Sequence, residues 1–160
     1  MRFSYLLVSL ALAACSPAQD APPERQEANP PASTPRPRAA LLPEDIEGGA
    51  LKGELACSFS ESANGPPLLL ARADVRDDSI ADGLLKLGSS VLALRSAEGG
   101  GFNALTDGAR FTSGDLAATV TVTSPEPLGE GESPPRAARL TLETGAVPPD
   151  RIEGLWTCGP

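Results

Sequence analysis

Between Glu54 and Cys158 the chain is cut by turn signals into seven or eight short runs, most of which alternate apolar with polar residues. Alternation with a period of two places every second side chain on the same face, so each run reads as a strand with one buried face. "ELACSFS" (Glu54 to Ser60) sets Leu55, Cys57 and Phe59 on one side, and "AATVTVT" (Ala117 to Thr123) sets Val120 and Val122 against threonines. "ARLTLET" (Ala138 to Thr144) alternates on Leu140 and Leu142, and "RIEGLWTC" (Arg151 to Cys158) aligns Ile152, Gly154, Trp156 and Cys158. "LLLARADV" (Leu68 to Val75) and "GARFT" (Gly108 to Thr112) are further strands. "LLKL" (Leu84 to Leu87) and "SVLALRS" (Ser90 to Ser96) flank Gly88-Ser89 as a hairpin or as one long broken strand. A helical reading of "DSIADGLLKL" (Asp78 to Leu87) is interrupted by Gly83. The pattern predicts an all-β fold, a small antiparallel barrel or sandwich of about seven or eight short strands.

The N-terminus is built differently. After Met1 and Arg2 comes an uncharged apolar run from Phe3 to Ala14, broken only by Ser4 and Ser9. It is too short to span a bilayer, which takes about 20 apolar residues, and its flanks fit a secretory signal peptide. The run closes on Leu12-Ala13-Ala14-Cys15, which resembles the lipobox of bacterial lipoproteins. The resemblance implies a signal peptide over 1–14, cleavage before Cys15, and acyl chains on Cys15 that hold the protein at a lipid bilayer. Several chains on one residue anchor firmly where one short chain would not. The residue after the cysteine is Ser16, not the aspartate associated with inner-membrane retention. The expected location is therefore the periplasm-facing cell envelope, with the outer membrane favoured over the inner.

With Cys15 lipidated, Cys57 and Cys158 remain, and an even remainder in an exported chain is read as a disulfide. They lie in the first and last predicted strands, so a bond requires those strands to be neighbours, with Cα atoms within about 7 Å. Closing a loop of this size contributes about 4.7 kcal/mol in the chain-entropy account. Trp156, two residues before Cys158, is expected as a core plug beside the bond.

Between the anchor and the strands, residues 16–43 read "SPAQDAPPERQEANPPASTPRPRAALLP", with eight prolines among 28 residues. Such a composition cannot form a core and predicts a disordered tether over 15–43, reaching up to roughly 85 Å if extended. "TPRPR" (Thr34 to Arg38) is its one candidate docking motif. The folded domain is then expected over 44–160. That domain carries eighteen Asp and Glu against nine Lys and Arg. An acidic surface excludes phosphate-neutralising contact with nucleic acid and suits a cationic partner.

The chain contains no histidine, which removes the commonest general base and metal ligand. Neither Lys52 nor Lys86 follows a serine at S-x-x-K spacing, and no G-x-S-x-G elbow is present. Gly99-Gly100-Gly101 lacks the Lys-Ser/Thr of a phosphate loop and reads as a turn. The aspartates Asp74, Asp77, Asp78 and Asp82 do not follow calcium-loop spacing and read as a solvated turn. Asp107 and Asp115 bracket "GARFT" as a nominal carboxylate pair. No catalytic, cofactor or metal residue is assigned, and the chain is not expected to be an enzyme.

A lipobox followed by a roughly 100-residue β domain with cysteines near both ends resembles the membrane-bound inhibitors of c-type lysozyme. "TDGARF" (Thr106 to Phe111) is similar to that family's serine-glycine-x-basic-tyrosine stretch, with Gly108, Arg110 and Phe111 at the glycine, basic and tyrosine positions. Asp107 replaces the serine, and the threonine-lysine-glycine stretch that follows in the family is absent. The resemblance therefore implies architecture, without the inhibitory residues. The expected function is a non-enzymatic binding module with an envelope protein partner. The alternatives are an assembly accessory that uses the loop Pro125 to Pro135, or a lysozyme inhibitor.

Overall fold

The structure is a computed structural model that describes residues 38–145 and 147–160. Cys15, the apolar run and most of the expected tether lie outside the described residues. Eight antiparallel strands pair in chain order and the last closes on the first, giving a closed barrel. They are β1 (Leu55–Ser60), β2 (Leu69–Ala73), β3 (Ile80–Leu87), β4 (Ser90–Gly99), β5 (Arg110–Ser113), β6 (Leu116–Pro127), β7 (Arg136–Thr144) and β8 (Asp150–Gly159). Among the described residues two short helices accompany them, α1 (Pro43–Gly48) before the barrel and α2 (Gly101–Thr106) between β4 and β5. Among the described residues no helix is long and apolar enough to cross a membrane.

The alternation read from the sequence sets the inward face. Cys57 and Phe59 of β1, Val120 of β6, Leu140 of β7, and Ile152 and Trp156 of β8 are all buried. Small inward residues (Ala71, Ala73, Ala118 and Ala138) leave room for Phe59, Phe111 and Trp156, so the barrel is filled by its own side chains. Gly154 serves this packing directly. A β-carbon there would stand 2.6 Å from Phe59 Cζ and would also strike the Ser60 carbonyl, so only glycine admits the ring.

One mouth of the barrel is stopped by α2, whose Leu105 is buried. The buried Trp156 indole donates its Nε1–H to the Leu105 carbonyl at 2.8 Å, which satisfies the one polar atom of a ring otherwise in apolar surroundings. The helix is also tied to the β2–β3 loop, through Gly101 N–H to Ser79 O (3.0 Å) and Phe102 N–H to Asp74 O (2.9 Å). Gly101 has φ +57° and lies against the Arg76 and Asp74 carbonyls, a place no side chain could occupy.

The sequence places residues 38–43 in the tether, but here they form the start of a strap on the outside of the barrel. Arg38 bridges Leu87, Ala39 N–H donates to Lys86 O (3.2 Å), and Leu41 N–H donates to Pro67 O (2.7 Å). Leu41 is buried, as is Leu84 on the outward face of β3, and Gly49 packs against the Leu84 side chain. A proline-rich composition does not reveal this, because one leucine and a few backbone hydrogen bonds make the anchor. Pro43 opens α1, where a missing N–H costs nothing. Asp45 accepts the Leu42 N–H at 2.8 Å and the Lys86 ammonium at 2.6 Å.

Candidate functional site

The ends of the barrel differ. Arg38 lies at the end that holds the β1–β2, β3–β4 and β7–β8 turns, where it contacts Asp150 (3.1 Å) and Glu61 (3.5 Å). The opposite end carries α2, the β2–β3 loop and the β6–β7 hairpin. These are called the Arg38 pole and the α2 pole.

The cysteines expected to pair are brought together. Cys57 and Cys158 are direct cross-strand partners in the β1–β8 ladder, with Cα atoms 4.0 Å apart, a disulfide-capable arrangement. Trp156 is the core plug read from the sequence. The other sequence candidates are dispersed. Asp78 is held by Arg76 through two hydrogen bonds of 3.0 and 2.7 Å, which lower its pKa from the ordinary aspartate value. Asp82 lies in β3, paired with Arg72 and Arg95 across its neighbours. Among the described residues no group of three or more His, Cys, Asp or Glu is set to hold a metal ion. Asp107 and Asp115 fall beyond the two ends of β5, and Asp107 is 3.5 Å from Arg136.

The residues that carry the inhibitor resemblance take separate roles. Phe111 is fully buried in the core, Gly108 has φ +97° and lies against the Val120 carbonyl, and Arg110 is exposed and bonded to Glu143 at 3.0 Å.

Two features at the α2 pole are open to solvent. The first is the β6–β7 arm. β6 runs on to Pro127, past a register irregularity after Val122, and the loop is clasped by Leu128 N–H to Pro135 O (2.7 Å). It exposes Leu128 together with Glu126, Glu130 and Glu132. The sequence ends this strand at Thr123 because Pro125 and Pro127 read as breakers; proline is tolerated at such a projecting edge.

The second feature is a wedge between β4 and β5. These strands pair only at Arg95↔Thr112 and Ser96↔Phe111, and then diverge. The opening has a volume of about 310 Å³ and is walled by Ser96–Gly99, Ala104, Asp107–Arg110 and Thr119–Thr121. Sequence reasoning missed it. The available signals were the shortness of the "GARFT" run and the three glycines that release β4 into α2. Comparison with known protein families, with curated proteins and with solved structures finds no match to this chain.

Proposed function

We propose that this protein is a membrane-anchored envelope lipoprotein whose barrel acts as a non-enzymatic binding module, held by acyl chains on Cys15 and presenting its α2 pole to an envelope protein. The observation that carries this reading is the polarity of the barrel. The chain joins it at Arg38, while the acidic arm and the wedge lie at the opposite pole. A filled interior leaves the surface as the place of contact. The Cys57–Cys158 pair, oxidised in an exported protein, would keep that surface rigid. The outer membrane is the proposed location.

The arm supports a second reading, an assembly accessory whose projecting hairpin touches an envelope machine, since Leu128 is exposed among carboxylates. One experiment separates the two. The full-length protein is cross-linked in whole cells, with Cys15→Ser as the control, and co-purifying proteins are identified. One recurrent partner in both samples supports the binding module. A partner lost with Cys15→Ser supports the tether-dependent accessory. No envelope partner in either sample overturns both.

A further inference from the structure

The wedge is built as much as left over. Ser96 Oγ accepts the Ala81 N–H at 2.9 Å and donates to the Glu98 carbonyl at 2.8 Å, so a side chain occupies a place in the β3–β4 ladder. The register shifts there, between Ile80 and Asp82. Such a bulge bends its strand, and β4 leaves β5 at this point. Across the gap, the Ala109 carbonyl accepts the Val120 N–H (2.9 Å), which commits the start of β5 to β6. Ala97, Glu98 and Gly99 therefore continue as strand with no residue of β5 opposite them.

An unpaired strand edge is a template for another strand. Here its surroundings select the occupant. The walls are small (Ala97, Gly99, Ala104 and Ala109), so a second backbone can come close. Charge at the lips comes from Glu98 and from the well-exposed Asp107, which lies 3.5 Å from Arg136, while the nearby Arg110 is bonded to Glu143. Two copies of this chain would bring like charges together, which disfavours self-pairing. The sequence of residues 16–37 is poor strand material, since seven of them are prolines without an N–H, and the residue that follows, Arg38, lies at the other pole.

We infer that the open edge of β4, Ala97–Gly99, receives an extended basic segment of a partner protein, which adds as a strand between Glu98 and Asp107. This inference rests on the binding-module reading and names its site and the chemistry of its partner.

The test titrates the isotopically labelled full chain with the capped peptide Lys-Val-Lys-Val-Lys-Val, an extended basic probe. A second peptide of the same sequence is N-methylated on every residue, which removes the donors of both edges and keeps the charge. The expected result is slowed amide exchange at Ala97–Gly99 by about tenfold or more, with shifts confined to the wedge and no binding of the methylated peptide. Glu98→Lys with Asp107→Lys weakens binding at least about tenfold, and the milder Glu98→Gln with Asp107→Asn by roughly fivefold, with unfolding temperature as the fold control. Equal binding of both peptides, or shifts centred on the β6–β7 arm, overturns the inference. The same variants enter the whole-cell cross-linking. A partner captured undiminished by the charge-reversed protein overturns the strand-addition site and leaves the binding module standing. A wild type that captures nothing yet pairs with the peptide overturns the envelope reading alone.

Discussion

The two seams that flank the barrel's diameter are opposites. The β1–β8 seam joins strands about a hundred residues apart, yet it pairs continuously from Ala56↔Gly159 to Ser60↔Leu155. It carries the cysteine pair, with Phe59 opposite Trp156. The β4–β5 seam joins strands adjacent in sequence and is matched at two positions only. Nearness along the chain did not make the tighter seam. Large inward side chains and a covalent staple overcome the entropy of a long closure, while three glycines and a bulge spend a short connection on a helix that stops the barrel mouth.

The contrast is broken most severely at Trp156. Trp156→Ala removes the largest buried side chain of the closing seam and orphans the Leu105 carbonyl, with an expected loss of about 3–5 kcal/mol in urea unfolding. It should also raise amide exchange in α2, which reports on the open seam. Replacing Cys57 and Cys158 together by alanine is expected to cost about 2–4 kcal/mol, and unfolding of the wild type with reductant should reproduce the loss. Gly154→Ala drives a methyl into the Phe59 ring and should cost about 1–3 kcal/mol. Ser96→Ala acts on the other seam, leaving the Ala81 N–H without its acceptor, and should cost about 1 kcal/mol. If its effect equals that of Gly154→Ala, the seams are not as unequal as their pairing indicates.

The smallest effect concerns the strap. The Lys86 ammonium, and then the Leu42 N–H, hold the Asp45 carboxyl below its ordinary pKa. A lowered folded-state pKa stabilises docking fully above the unfolded aspartate value of about 3.9 and loses that contribution as pH falls through the folded value. Protection of Ala39 and Leu41 relative to their intrinsic exchange rates should therefore fall on acidification in that window, and Lys86→Met should flatten the dependence.

The barrel was legible wherever side chains alternate. The runs at 54–60, 117–123, 138–144 and 151–158 mark four strands to within a few residues, and cysteines in the first and last runs require those strands to be neighbours. What escaped is decided by tertiary context. The run "LLKL" carries no alternation that tells its faces apart, and Leu84 proves to face outward, buried under the strap. The helix α2 is six residues opened by two glycines, which no propensity argument supports; backbone bonds to Ser79 and Asp74 hold it. The wedge escaped for the same reason: a short run and three glycines hint at it, but it arises from a serine hydroxyl entering the ladder of a strand whose pattern looks uninterrupted.

The strap has a mechanical consequence. A pull applied to the chain before Arg38 meets the Ala39–Lys86 hydrogen bond, then Leu41–Pro67, then the Asp45–Lys86 clasp. These are loaded one after another, as a zipper is opened, whereas the strands behind them share any load across whole ladders. Residues 38–49 would peel away first and release a contour of on the order of 40 Å, less the distance they already span. The strap is thus the described segment that such a pull reaches before any strand of the barrel.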